Sequence, residues 1–145
     1  MSQTVGVVVP AYRPDVPQLR RYVTAVVEGL DPERVVVELD APKDGVPAQL
    51  ADLPAGIERV PYRRGKGAAV TAGFEQLDTD VLVFADADGS TPVASLEAVV
   101  DRVAAGDADL SVGSRRHPDA DVTSHQTFAR RFLGDGFAWL AGRLL

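Results

Sequence analysis

Two aspartates one residue apart, Asp86 and Asp88, can place two hard oxygen ligands on one divalent cation, and that cation can neutralise a diphosphate. The pattern alone discriminates nothing here, because fifteen of the 145 residues are Asp. Asp-x-Asp occurs at Asp78/Asp80, Asp86/Asp88, Asp107/Asp109 and Asp119/Asp121. A second group with chemistry of its own is Arg63-Arg64-Gly65-Lys66-Gly67. Two glycines around a lysine can offer backbone N–H groups and a cation to phosphate. The plainer alternative is a glycine-rich turn with exposed bases, and the spacing is not that of a Walker A loop. Lys66 is one of two lysines beside thirteen arginines, which favours a specific role. Asp40 is placed to accept from a nucleoside's ribose or base, or else to be a turn aspartate ahead of Pro42. His117 and His125 have no metal-ligand spacing and read as exposed loop residues. The single Trp139 reads as packing or interface.

The elements that must hold these residues alternate between short apolar runs and longer amphipathic ones. Thr4–Val9 reads as a buried strand ended by Pro10. Val16, Leu19, Tyr22, Val23, Val26, Val27 and Leu30 keep helical spacing behind an Asp15 N-cap. Arg34–Leu39 is a second strand, Ile57–Val60 a weaker third, and residues 66–77 a helix opened by Gly65-Lys66-Gly67. Asp80–Ala85 is the strongest strand. Thr91 and Pro92 cap and begin a helix to about Ala105, with Leu96, Val99, Val100 and Val103 on one face. Ala108–Val112 completes five strands, a polar loop covers 113–123, and a helical stretch runs on to Leu145. This rhythm means βαβ units, an α/β fold with a mostly parallel sheet and helices on both faces. Ligands of such sheets bind beyond the carboxyl ends of the strands. By that rule Asp86/Asp88 is the functional pair, since it follows a central apolar strand and Gly89 allows close approach. Asp78/Asp80 and Asp107/Asp109 fall at amino ends of strands, and Asp119/Asp121 in a loop without rigid support.

Composition adds exclusions. With 46% hydrophobic and 25% charged residues the chain makes one ordinary domain, and without cysteine it has no disulfide or thiolate metal site. The longest charge-free run is the first twelve residues, too short to span a bilayer, and no secretory signal is visible. An aspartate-rich, lysine-poor surface resembles that of proteins from salt-loving organisms. Its net charge of −6 disfavours nucleic acid as a partner. Residues 112–145 run against this trend, with five arginines and three aspartates. Phe128, Phe132, Phe137, Leu140 and Leu144 recur there at near-helical spacing. That pattern fits a basic amphipathic helix in a lipid headgroup layer, or a core-facing or dimer-contact helix.

Taken in order, PAYRPD (10–15), RGKGAAVTAGF (64–74), VLVFADADGST (81–91) and DLSVGSRRH (109–117) resemble glycosyltransferase family 2 with its GT-A fold. More narrowly they resemble the polyprenyl- and dolichyl-phosphate hexose synthases, and the Gly-Ser-Arg-x-His form looks most like dolichyl-phosphate glucosyltransferases. The resemblance implies a nucleotide-sugar-binding core over 1–123 and an acceptor- or membrane-side helix over 124–145. It implies that Pro10, Ala11 and Tyr12 line the nucleotide pocket, that Asp40 is an acidic contact there, and that Lys66 lies near the diphosphate. Asp86 and Asp88 would hold Mg²⁺ or Mn²⁺, with Ser90 as a third ligand. Arg115 would reach donor or acceptor phosphate, and Arg130 or Arg131 the acceptor phosphate, so that Asp88 and these three arginines carry the catalysis.

The implied reaction moves a hexose from UDP-glucose or GDP-mannose to dolichyl phosphate with inversion at C1, at the cytoplasmic face of a membrane. A lipid phosphate is already anionic near neutral pH, so positioning and charge neutralisation remain for the protein. This chain departs from the family at two motifs. Glu38-Leu39-Asp40-Ala41-Pro42 stands where Asp-Asp-Gly-Ser is usual, and Arg13-Pro14-Asp15 where Asn-Glu is usual. It also stops at Leu145, where family members continue, so the expectation is a truncated chain, a short gene product, or half of a split enzyme whose partner chain completes the acceptor site. The rival readings are a non-catalytic nucleotide-sugar-binding subunit and a sugar nucleotidyltransferase. The latter would place a glycine-rich loop after the first strand, where PAYRPD has none.

Overall fold

A computed structural model describes residues 2–114, which hold four strands and four helices. In chain order these are β1 (Val5–Tyr12), α1 (Val16–Leu30), β2 (Arg34–Asp40), α2 (Val46–Leu50), β3 (Gly56–Val60), α3 (Lys66–Phe74), β4 (Val81–Phe84) and α4 (Val93–Ala104). The strands form one all-parallel sheet in the order β3-β2-β1-β4. Odd-numbered residues of β1 and β2 (Val7, Val9, Val35, Val37, Leu39) join Leu19, Val23 and Val26 of α1, Leu50 of α2 and Leu96 of α4 in one buried cluster. The opposite face of β1 and β2 is covered by α3. Burial on both faces is why these strands read as unbroken runs of valine rather than alternating ones. No helix among the described residues is long and apolar enough to cross a membrane.

Asp15 caps α1 as expected, its Oδ1 accepting from the Gln18 N–H at 2.9 Å. Pro10, however, does not end β1, which runs on to Tyr12 opposite Asp40. The reason is directional. Thr4 and Val8 turn their carbonyls toward β4, accepting from Val81 and Ala85, so Pro10 too would aim its N–H to that side. Pairing with β4 stops at Val8, and the donor that proline lacks is not needed.

Three further expectations need correction. Ala108–Val112 is not a strand: Leu110 and Val112 are 78% and 73% exposed, and a five-residue run with no strand beside it among the described residues gains nothing from extending. Thr91 does not cap α4, because Pro92 takes that position and the Thr91 carbonyl is bound elsewhere. The one-turn α2 was missed, being too short to show a period. The boundary near residue 123 and the helical stretch beyond it lie outside the described residues.

α3 lies close on the sheet because Gly73 has no side chain. A Cβ there would meet the Val8 methyls at 2.5 and 2.7 Å, and Val8 is fully buried and cannot step aside. Gly73→Val is therefore expected to cost about 3 kcal/mol, read as a lower midpoint in urea with an unchanged slope.

Candidate functional site

Because β2 and β3 lie to one side of β1 and β4 to the other, the chain reverses its winding direction between β1 and β4. A crevice at the carboxyl ends of the strands is expected at such a switch point. Tyr12 ends β1, Asp40 ends β2, and Asp86 to Ser90 follow β4 on this edge.

The loop after β4 is shaped by its own residues and by α1. Ala85 is buried and donates its N–H to the Val8 carbonyl. Asp88 Oδ1 accepts from the Ser90 N–H at 2.9 Å, and Gly89 turns the chain with φ of 67°. Gln18 and Tyr22, one turn apart on α1, brace the loop from beneath. Gln18 Nε2 donates to the Asp88 carbonyl at 2.6 Å, and the Tyr22 hydroxyl to the Thr91 carbonyl at 2.8 Å. Burial, and then the charges of Asp86 and Asp88, push the Tyr22 phenol up to about 12, so it stays a neutral donor.

The turn from Arg63 to Gly67 is tied to β2 by a buried network. Asp40 Oδ2 accepts from the N–H groups of Arg64 (2.7 Å) and Gly65 (2.9 Å), and Oδ1 from Arg64 Nε at 2.8 Å. Glu38 Oε2 accepts from Arg64 Nη2 at 2.7 Å, and its Oε1 from Gln76 Nε2 at 2.6 Å. Burial alone would raise the Asp40 carboxyl, but the hydrogen bonds from Arg64 and Gly65 outweigh it and hold the group below its ordinary value. The turn N–H groups of Arg64 and Gly65 thus face Asp40 rather than a ligand. Arg63 and Lys66 remain the exposed cations of the motif, and Lys66 is the one that faces the loop after β4. It opens α3 and reaches across to Asp86, with Nζ 2.5 Å from Oδ1, and it lies 5.4 Å from the Phe84 ring centroid.

At the end of β1, Pro10 and Ala11 are buried. Tyr12 is 40% exposed, with the guanidinium groups of Arg13 and Arg63 at 5.2 and 4.6 Å from its ring centroid. Asp80 serves the opposite end of the sheet, where it accepts from the N–H and hydroxyl of Thr4. Asp107 and Asp109 follow α4 in a loop, with no strand behind them. Arg115, Arg130, Arg131, His117, His125, Trp139 and the Asp119/Asp121 pair lie outside the described residues.

The donor set suits a hard divalent cation shared with a ligand. No group of three or more His, Cys, Asp or Glu that could hold a metal occurs among the described residues. Asp86 and Asp88 could hold only part of a coordination sphere, with the remaining positions left to ligand oxygens and water. The Lys66 ammonium against Asp86 shows that this carboxylate already accommodates a cation.

Residues 6–136 match the family model described as glycosyl transferase family 2. The chain belongs to that family. Among its relatives, the Glycosyltransferase AglD of Haloferax volcanii is 34% identical over 79% of this chain and 20% of its own length. The Dolichol-phosphate mannosyltransferase of Pyrococcus furiosus is 28% identical over 97% of this chain and 40% of its own. This family 2 chain thus spans less than half of either relative. The sheet and helices are those of the GT-A fold, an α/β, Rossmann-like architecture. A glucosyl-3-phosphoglycerate synthase from Mycobacterium tuberculosis, solved with Mn²⁺ and UDP, matches with a TM-score of 0.58 at 18% identity, over 70% of this chain and 40% of that one. A nucleotidyl transferase from Methanothermobacter matches at 0.55 and 13% identity, over 68% and 57%.

Gln18 and Tyr22, which hold the loop after β4, and Glu38 and Gln76, which hold Arg64, were missed from the sequence. Glu38 alone left a signal: a carboxylate inside an apolar strand needs a buried cationic partner.

Proposed function

We propose that this chain is the donor-binding part of an inverting hexosyltransferase, moving a hexose from a nucleoside diphosphate sugar to a lipid phosphate such as dolichyl phosphate. One observation carries the reading: Lys66, at the start of α3, and Asp86, in the loop that follows β4, meet at 2.5 Å beside Asp88 on the carboxyl edge of the sheet. That places carboxylates for a divalent cation and an ammonium for a diphosphate in one spot. Mg²⁺ or Mn²⁺, when bound, supplies positive charge for the departing nucleoside diphosphate. Lys66 holds the diphosphate, Tyr12 meets the nucleoside, and Gln18 and Tyr22 keep the aspartate loop in place. The names of relatives from Pyrococcus furiosus and Drosophila melanogaster, a Dolichol-phosphate mannosyltransferase and a Dolichyl-phosphate beta-glucosyltransferase, support a lipid phosphate acceptor. Arg115, Arg130 and Arg131 are the residues assigned to phosphate on the acceptor side, and the basic stretch around them is assigned to the cytoplasmic surface of a membrane.

The test supplies radiolabelled UDP-glucose or GDP-mannose, dolichyl phosphate and Mn²⁺ or Mg²⁺ in high salt. Label entering the organic phase, lost in Asp88→Ala, is the expected result. Metal-dependent donor binding without transfer favours a donor-binding subunit that needs a partner chain. If neither donor binds, the reading fails.

Lys66 has opposite effects in this scheme with and without the donor. Its half-exposed pair with Asp86 competes weakly with a free cation, worth about 0.2–1 kcal/mol. Its bond to a diphosphate is worth about 1.5–3 kcal/mol. Lys66→Met is accordingly expected to bind free Mn²⁺ up to about fivefold more tightly, yet UDP with Mn²⁺ at least about tenfold more weakly. Titration calorimetry with Mn²⁺ alone, then with UDP, reads both.

A further inference from the structure

We infer that Asp40, Glu38 and Arg64 are positioning residues that set diphosphate affinity through the Lys66 turn, and that Asp40 does not select the nucleobase. The inference rests on the donor-binding function proposed above and deepens it.

Asp40 has the position of an acceptor for a nucleoside, at the carboxyl end of β2, but its carboxylate is already committed. Three N–H donors converge on its two oxygens, two from the backbone of the turn and one from Arg64 Nε, all within 2.9 Å. Asp40 is 3% exposed and Glu38 is 1% exposed. A buried carboxylate accepting three hydrogen bonds is an anchor whose loss moves whatever it holds. What it holds is the peptide of Arg64 and Gly65, with Gly65 at φ of 93°, immediately before the residue that meets Asp86. Glu38 acts one step further back. It grips the far end of the Arg64 guanidinium and is itself held by Gln76, beyond the carboxyl end of α3. The turn is thereby clamped to β2 at one end and tied to the α3 segment at the other. Glu38 lies too deep in the strand to touch a ligand. Any effect it has on binding must pass through Arg64.

The chain has two lysines, Lys43 and Lys66, so the position of Lys66 can be read without any ligand. The experiment compares the wild type with Asp40→Asn, Glu38→Gln and the exchange Glu38→Gln/Gln76→Glu, which returns a carboxylate to the network. Each is first shown to be folded by its proton NMR spectrum. Affinities for UDP, GDP and inorganic pyrophosphate are measured with Mn²⁺. The acylation rate of Lys66 relative to Lys43 is measured by mass spectrometry on the ligand-free protein. Both single variants are expected to weaken all three ligands by a common factor of roughly ten, with the UDP-to-GDP ratio unchanged. Both should speed acylation of Lys66 relative to Lys43, and the exchange should restore both readouts. A changed UDP-to-GDP ratio in Asp40→Asn with pyrophosphate binding intact would mean that Asp40 reads the base, and overturns the inference. So would a lower melting temperature with unchanged affinities and unchanged Lys66 acylation. If the wild type binds none of the ligands while the variants still release Lys66, the positioning role stands and the donor-binding function is what fails.

Discussion

Arg64→Ala is expected to destabilise the protein by about 3–5 kcal/mol, the largest loss anticipated for any single substitution outside the hydrophobic core. Among the described residues Arg64 is the one cation bound to both Glu38 and Asp40, whose side chains are 2% and 4% exposed. Removing it leaves two carboxylates in a dry site with no positive charge between them. Arg64→Lys should recover little, because a single ammonium cannot bind Asp40 through Nε and Glu38 through Nη2 at once. Urea denaturation at neutral pH measures the loss directly. Acid offers an independent check. Asp40 has a folded-state pKa depressed below its ordinary 3.8, so its contribution is fully present above that value and is lost as pH falls through the lower one. The melting temperature of the wild type should therefore drop below about pH 4, and Arg64→Ala should flatten that drop.

Asp88→Ala is expected to weaken Mn²⁺ binding in the presence of UDP by at least about a hundredfold, while leaving the fold intact. Substituting partners that merely orient metal ligands costs about 10–100-fold, and a ligand itself should cost no less. The side chain is exposed, and the loop keeps the two bonds that α1 provides, from Gln18 to the Asp88 carbonyl and from Tyr22 to the Thr91 carbonyl. The free Mn²⁺ signal in electron paramagnetic resonance reads the change. Asp80→Ala, at the opposite end of the sheet, should leave Mn²⁺ binding as it is.

Much of this was legible in the residues. Asp15 before a 3.6-residue apolar period gave the start of α1, and valine-rich runs gave β1 and β2, since burial on both faces leaves no alternation to misread. Of the four Asp-x-Asp pairs, Asp86/Asp88 does follow the carboxyl end of a strand, although β4 stands at the edge of the described sheet and not at its centre. Asp80 binds Thr4 at the other end. Pairings between distant residues were not legible. Tyr22 reads as one more apolar position of α1, and only the fold shows its hydroxyl at Thr91. Asp40 supported two readings from sequence because a carboxylate at a strand end can face a ligand or a turn. Ala108–Val112 misled because a short apolar run becomes a strand only where a neighbouring strand accepts it.

The most direct measurement is calorimetric titration of UDP and of GDP into the wild-type protein, with Mn²⁺ and again with EDTA. Heat of binding for at least one nucleotide with Mn²⁺, abolished by EDTA in the wild type and already absent from Asp86→Ala with Mn²⁺, is the expected result. Equal uptake with and without the chelator would contradict a cation held between the Asp86/Asp88 loop and a diphosphate.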